Sequence, residues 1–193
     1  MEEIRTGRLL LRRWRDEDRR PFADLNADPE VMRYFPATLT RAESDRLVDR
    51  IERHFEEHGV GLWALEVVAT GELIGFTGLN PMPDEVPGAG GLEVGWRLAR
   101  SAWGHGYAAE AARAVLRVGF GQLGLEEVWS ITAVVNLRST AVMERIGLQR
   151  HGTFEHPRVE PGHPLRPHVA YRARRRGDGQ TPLLGGGPRH RPG

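Results

Sequence analysis

A mixed α/β fold in one domain is the architecture this sequence predicts, and three observations lead there. The first is the order of periodicities: one strand, two helices, three strands, then helix, strand, helix and two strands. That order suits a mixed, mostly antiparallel sheet with helices on both faces. The second is a Gly-rich turn, Trp103-Gly-His-Gly106, set where an alternating apolar run gives way to a helical one. The third is size, since 193 residues make one well-buried core and are short for two.

The elements follow in order. Arg8–Trp14 reads as an edge strand entered from a turn at Thr6-Gly7. Asp16–Asn26 reads as a helix with an acidic first turn and with Phe22 and Leu25 facing inward. Thr40-Arg-Ala-Glu43 is a capping box that starts a second helix. Leu47, Val48, Ile51 and Phe55 supply its apolar stripe, and Gly59 stops it. Gly61–Ala69 and Glu72–Asn80 are strands joined by the hairpin signal Thr70-Gly71, and Pro81–Gly91 is a Pro/Gly loop. The run Leu92-Glu-Val-Gly-Trp-Arg-Leu98 is the strand ahead of the Gly turn. The helix after it carries Ala108, Ala111, Ala112, Val115, Leu116 and Gly119 on one face. A strand at Val128–Val135, a helix at Arg138–Ile146 and a strand pair near 148–154 and 168–174 complete the domain, which spans 1–174. Residues 175–193 are basic and rich in Gly and Pro, with too few apolar residues to order themselves, so a disordered tail is expected there.

Composition removes several classes of chemistry. The chain has no Cys, and all 27 of its basic residues are Arg. Cysteine nucleophiles, thiolate metal sites, disulfides and lysine Schiff bases are therefore excluded. No apolar run is long enough to span a bilayer and the acidic start is not a secretory signal, so a cytoplasmic enzyme with no membrane partner is expected. The net charge of +1 divides into −4 over residues 1–171 and +5 over 172–193. An acidic body mildly favours a cationic amine as substrate.

Gly at a strand-to-helix turn lets a ligand approach the backbone, and the first helical turn offers unpaired N–H groups at the positive end of the helix dipole. Together these make a phosphate cradle. About thirty residues on, the strand Val128–Val135 leads into Asn136-Leu-Arg-Ser139, a short helix and Gly147-Leu148. With these pieces the sequence resembles the GNAT superfamily of acetyl-CoA-dependent N-acetyltransferases, and within it the RimJ/RimL-type branch. The resemblance is carried by Trp103-Gly-His-Gly-Tyr-Ala-Ala-Glu-Ala111, by Asn136-x-x-Ser139-x-x-Val-Met143-Glu-Arg-Ile-Gly147 and by Thr6-Gly-Arg-Leu-Leu-Leu-Arg12. It covers roughly residues 5–172 in the family's order.

The resemblance implies a GNAT-like sheet whose central strands splay, acetyl-CoA as co-substrate, and a set of site residues. The amides of Trp103, Gly104, His105, Gly106, Tyr107 and Ala108 are expected to hold the pyrophosphate. The pantetheine arm pairs with the free strand edge near Leu98 and Arg100, and Asn136 bonds that arm. The family often places Gln or Arg where this chain has Ser101, so Arg100 is the nearby source of charge. Many members carry a Tyr seven residues after the Asn. Here that position is Met143, which leaves Ser139 as the candidate proton donor to the leaving thiolate. Glu93 is the candidate base, in the strand where one branch of the family places its catalytic carboxylate. A site near apolar Trp96 and Leu98 raises a carboxyl pKa, whereas an ion pair with Arg97 on the same face would do the opposite. A backbone N–H near Leu98 is the candidate oxyanion donor.

For the acceptor wall the sequence offers Tyr34, Phe35 and Trp63, with the Pro81–Gly91 loop. The hairpin with His156, His163 and His168 lacks metal-ligand spacing, so no metal is expected, and Glu155 within it is a second candidate base. The acceptor is an amine, either a peptide or protein N-terminus or a small molecule. Rival readings are a CoA-binding sensor or interaction module without catalysis, and nucleic-acid contact through the tail arginines, which no interleaved aromatics support. Homodimers are common in the family, and a homodimer is one state the resemblance allows.

Overall fold

The computed structural model describes residues 3–175. Eight strands form a single sheet: β1 (Glu3–Arg5), β2 (Leu9–Arg12), β3 (Leu62–Val67), β4 (Glu72–Pro81), β5 (Leu92–Leu98), β6 (Glu127–Ala133), β7 (Gln149–Glu155) and β8 (Pro167–Arg174). Four helices join them: α1 (Arg19–Ala27), α2 (Arg41–His58), α3 (Tyr107–Gly121) and α4 (Leu137–Arg145). The sheet order is β1-β2-β3-β4-β5-β6-β8-β7. Every neighbouring pair is antiparallel except β5 and β6, which the α3 crossover makes parallel.

That pair positions the site. β4 and β5 are in register over seven residues, but β5 and β6 meet at one pair only, Glu93 opposite Trp129. Beyond it the strands part, leaving a V that opens toward Leu98 and Ala133.

The two faces are covered separately. Gly119 of α3 lies against Leu79 and Val128, and Val94 and Leu98 belong to the same buried core. On the opposite face Phe22 of α1 meets Phe76 edge-on at 5.9 Å. Since successive strand residues alternate, Glu93, Gly95 and Arg97 lie on the α1 face with Phe76 and Asn80. Trp96 and Leu98 point to the α3 face. The loop between β4 and β5 folds back so that Met82 and Val86 pack on Trp129 as a second small core. A Cβ on Gly88 would lie 2.6 Å from that indole, so only glycine allows the loop to seat there.

The expected helix caps are present. Glu43 accepts from the Thr40 amide at 2.8 Å while Thr40 accepts from the Glu43 amide at 3.3 Å, and Gly59 ends α2 at φ 71°. Three expectations are corrected. β2 is shorter than Arg8–Trp14 and is no edge strand, because β1 adds outside it. Helix α1 starts at Arg19, after a 3-10 turn at Asp16–Asp18, because the Asp18 carboxylate turns inward to grip Arg12 with two bonds of 2.7 and 2.9 Å. Glu66 takes the Arg12 Nε at 2.7 Å, so a buried guanidinium has carboxylates on two sides that hold it in its charged form. Finally, β6 ends at Ala133, and Val134 and Val135 are exposed in the turn beyond. Arg175, expected to open the tail, still donates its amide to Glu126 at 2.8 Å. The remainder of the expected tail, 176–193, lies outside the described residues.

Candidate active site

The Gly turn sits at one side of the V. A 3-10 turn at Arg100–Ala102 carries the exposed Arg100 and Ser101, and Gly104 and Gly106 both take positive φ, 80° and 78°. Glu110 is the first residue of α3 whose N–H bonds a carbonyl, that of Gly106 at 3.0 Å, so the amides ahead of it have no helical partner. Gly104, His105, Gly106, Tyr107 and Ala108 therefore carry amides with no backbone partner, at the place where the resemblance puts an anion cradle. The Trp103 amide does not belong to it, because it is bonded to the Arg100 carbonyl at 3.2 Å.

Trp103 instead acts through its ring. The indole N–H donates to the Leu98 carbonyl at 3.0 Å, and Arg138 from α4 lies 4.4 Å over the ring. The two sides of the V mouth are thus clasped together. The Leu98 carbonyl, on the strand edge expected to pair with a cofactor arm, thus already accepts one hydrogen bond.

The cradle is also held from behind, by residues whose role the sequence reading did not assign. Glu110 accepts from Thr6 Oγ1 at 2.6 Å, from the Arg8 amide at 3.0 Å and from Arg8 Nε at 2.7 Å. Burial raises its pKa, but these bonds outweigh burial and hold the carboxyl below its ordinary value. Arg8 also donates to the His105 carbonyl at 3.0 Å and lies 4.7 Å from the Tyr107 ring, which stacks on His105.

On the other arm of the V, Asn136 caps α4. Its Oδ1 accepts from the Ser139 amide at 3.3 Å, while its Nδ2 donates to Thr132 Oγ1 at 2.9 Å and to Ser139 Oγ at 3.1 Å. Ser139 Oγ is therefore an acceptor within the protein, and its own hydrogen remains available to donate. Met143, where a Tyr is common in the family, is 1% exposed in the core.

Glu93 stands at the vertex, opposite Asn80 in β4 and Trp129 in β6. Burial pushes its carboxyl up to about 7, against a smaller downward effect of an Asn80 hydrogen bond. The expected cause is corrected: Trp96 and Leu98 are on the far face, and the apolar neighbour is Trp129 with the loop packed on it. Nor does Arg97 pair with Glu93. Arg97 Nη1 donates to Asn26 Oδ1 at 2.6 Å, and its guanidinium lies 4.2 Å from the Phe35 ring.

Of the three acceptor-wall residues, Phe35 is 38% exposed on this face and Tyr34 lies beside it, under Arg33. Trp63 is 0% exposed and packs edge-on against Phe55 at 5.2 Å, so it is core and no acceptor reaches it. In the late hairpin the His156 and His168 rings lie 4.6 Å apart, and Glu155 pairs with Arg166. Burial lowers both imidazole pKa values. Among the described residues no three His, Asp or Glu side chains converge as a metal-binding set.

Comparison with known proteins identifies the family. The model of the acetyltransferase (GNAT) domain matches residues 8–149. The chain belongs to the GNAT acetyltransferase family. As a member it is an N-acetyltransferase whose acyl donor is acetyl-CoA. It is 34% identical over 150 residues to the protein YkkB of Bacillus subtilis (strain 168), covering 77% of this chain and 86% of that one. It is 35% identical over 158 residues to FsC-acetyl coenzyme A-N(2)-transacetylase of Aspergillus fumigatus, covering 78% and 66%. The solved structure of RimL, a ribosomal-protein α-N-acetyltransferase in complex with coenzyme A, superposes with a TM-score of 0.74 over 90% of this chain and 98% of that one. Its 15% identity speaks for a shared fold. No helix among the described residues is long and apolar enough to cross a membrane.

Proposed function

We propose that this enzyme moves the acetyl group to a primary amine by direct attack on the thioester, with Glu93 as base and Ser139 as proton donor to the leaving sulfur. The acceptor is a peptide or protein N-terminal α-amine, as in the RimJ/RimL-type branch, or a small-molecule amine. The observation that carries this reading is the vertex of the V. A carboxyl with a pKa of about 7 stands where β5 and β6 part, in a V whose open end carries a turn of free amides on one side and the Asn136–Ser139 pair on the other.

Each group has work that its surroundings suit. The amides of Gly104 to Ala108 bind the pyrophosphate, and Arg100 adds positive charge beside them. The free edge of β5 and Asn136 align the pantetheine arm, and an amide of β5 near Leu98 donates to the developing oxyanion. Glu93 accepts the ammonium proton, directly or through water. A carboxyl near 7 accepts it more readily at neutral pH than one at an ordinary value. Ser139, receiving a hydrogen bond from Asn136, directs its own hydrogen toward the departing sulfur while water makes good the proton. A chain without Cys or Lys fits transfer with no acetyl-enzyme intermediate on those side chains.

The test is release of free CoA from acetyl-CoA against a panel of peptides with different N-termini, polyamines and aminoglycosides, with CoA binding followed by thermal shift. Turnover with one acceptor class is expected. Stabilisation by CoA without turnover on any amine would favour the sensor reading. If CoA is neither bound nor released, the assignment fails.

A further inference from the structure

Arg97 is a cation that the protein provides for only in part. Its Nη1 is taken by Asn26 Oδ1, and Asn26, itself 0% exposed, is fixed by donating to Ser44 at 2.9 Å. The guanidinium is flanked by the rings of Phe35 at 4.2 Å and Phe76 at 5.4 Å. The Nε is enclosed without a hydrogen-bond partner, and among the described residues no carboxylate lies within ion-pair distance of Arg97. A guanidinium has five N–H donors, and here one has a protein acceptor. A partly enclosed charge without a counter-ion is costly, and a supplied anion relieves that cost. Arg12 shows the contrast, with two carboxylates closing on its guanidinium.

The surroundings indicate where such an anion comes from. Arg97 and Glu93 lie on the same face of β5 with Gly95 between them, and a Cβ built on Gly95 meets nothing within 4 Å. The strand between base and cation therefore presents bare backbone beneath open space. Phe35, half-exposed over the guanidinium, walls the far end.

We propose that Arg97 selects the acceptor by binding an oxyanion, a carboxylate in the first instance, that the acceptor carries at the end remote from its amine. The inference rests on the acetyl-transfer reading above and adds a substrate class to it: amines bearing an acidic group. Four residues of strand separate the Cα atoms of Glu93 and Arg97 by about 13 Å. Both residues lie on the face where Gly95 leaves open space, so an acceptor held along that face spans on the order of 10 Å from amine to anion. That is the length of an extended tripeptide from its α-amine to its carboxylate. The amine lies at Glu93, the peptide crosses Gly95, and the carboxylate meets the Arg97 fork against Phe35.

The experiment uses the full chain and matched acceptors: Ala-Ala-Ala as free acid, the same peptide as its C-terminal amide, and Ala-Ala-Glu amide. Initial rates of CoA release give kcat/KM for each in the wild type, in Arg97→Met and in Arg97→Lys. The wild type is expected to favour the two acid-bearing peptides over the amide by roughly 10- to 100-fold, mainly through KM, as a charge-assisted hydrogen bond predicts. Arg97→Met should bring that ratio to within about threefold of unity, and Arg97→Lys, which keeps the charge without the fork, should fall between. A wild-type ratio near one, or a preference that survives in Arg97→Met, overturns the proposal and leaves Arg97 as a strut for the segment carrying Phe35. If none of the three is turned over, calorimetric titration of N-acetyl-Ala-Ala-Ala acid and amide into the CoA-saturated wild type and Arg97→Met decides. Equal binding of acid and amide refutes the proposal, and an acid preference confined to the wild type supports it. CoA thermal shift on each variant reports folding. Because the shift does not depend on the acceptor, its absence in the wild type marks failure of the acetyl-transfer reading instead.

Discussion

Replacing Glu93 with glutamine should slow the enzyme and stabilise it, and the two effects share one cause. Burial lifts the carboxyl from an ordinary 4.5 to about 7. Between those values the folded protein holds a proton that the unfolded chain has released, so stability falls as pH rises through that window. At 1.36 kcal/mol per pH unit the full loss amounts to about 3 kcal/mol, and partial solvation of the carboxyl makes that a ceiling. Glutamine carries no charge to desolvate. Near pH 4.5 Glu93→Gln and the wild type should therefore be about equally stable. At pH 8 the variant should be more stable by about 2–3 kcal/mol, or roughly 5–10 °C in Tm for a domain of this size. Urea unfolding at both pH values measures this. Over the same range the wild-type kcat/KM should show an ascending limb near pH 7, whereas the variant should lose that limb and about 10²–10⁴ in rate. Parallel stability profiles for the two proteins would refute the burial argument. Unchanged turnover with the limb intact would remove Glu93 as base, whatever its pKa.

Other substitutions probe the remaining parts. Ser139→Ala should lower kcat about 10- to 100-fold while CoA binding and Tm hold, because the cap on α4 runs through the Ser139 amide and not its hydroxyl; steady-state kinetics with CoA thermal shift would separate the two. Gly106→Ala forces a side chain at φ 78° and should cost about 1–2 kcal/mol by denaturant titration, with weaker CoA binding. Gly88→Ala should destabilise by about 2 kcal/mol, since the added carbon collides with Trp129, and Trp fluorescence should report the displaced ring. Asp18→Ala leaves Arg12 with Glu66 alone in a buried site and should cost about 3 kcal/mol without changing the ratio of kcat among acceptors.

Local chemistry made much of this molecule readable. The Thr40 capping box, the Gly59 stop and the Thr70-Gly71 turn lie where short-range signals put them, because each depends on residues within a few positions. The positive-φ turn at Gly104 and Gly106 and the Asn136 cap on Ser139 are legible as local structure for the same reason. Relations across the sheet were not. Arg97 finds Asn26 across 71 residues, and Glu93 owes its environment to Trp129, which reaches it only through a parallel crossover. Nothing near either residue in sequence announces the partner. Trp63 is core and not acceptor wall, a distinction the sequence does not carry, because an aromatic in an alternating strand reads alike whether its ring faces a helix or a ligand. β1, with three residues, is too short to show a period.

The bonds from Thr6 and Arg8 to Glu110 have a bearing on how the site assembles. They join segments more than a hundred positions apart, so the phosphate turn gains its backing only after the first strand has docked on the sheet. Closing so long a loop carries a large entropic cost that local contacts cannot offset early in folding. Helix α3, with its run of alanines, can form long before that. A nascent chain should therefore carry a helical α3 before it can retain coenzyme, and replacing Thr6 and Arg8 together with alanine should mimic that early state: native-like helicity with weakened coenzyme affinity.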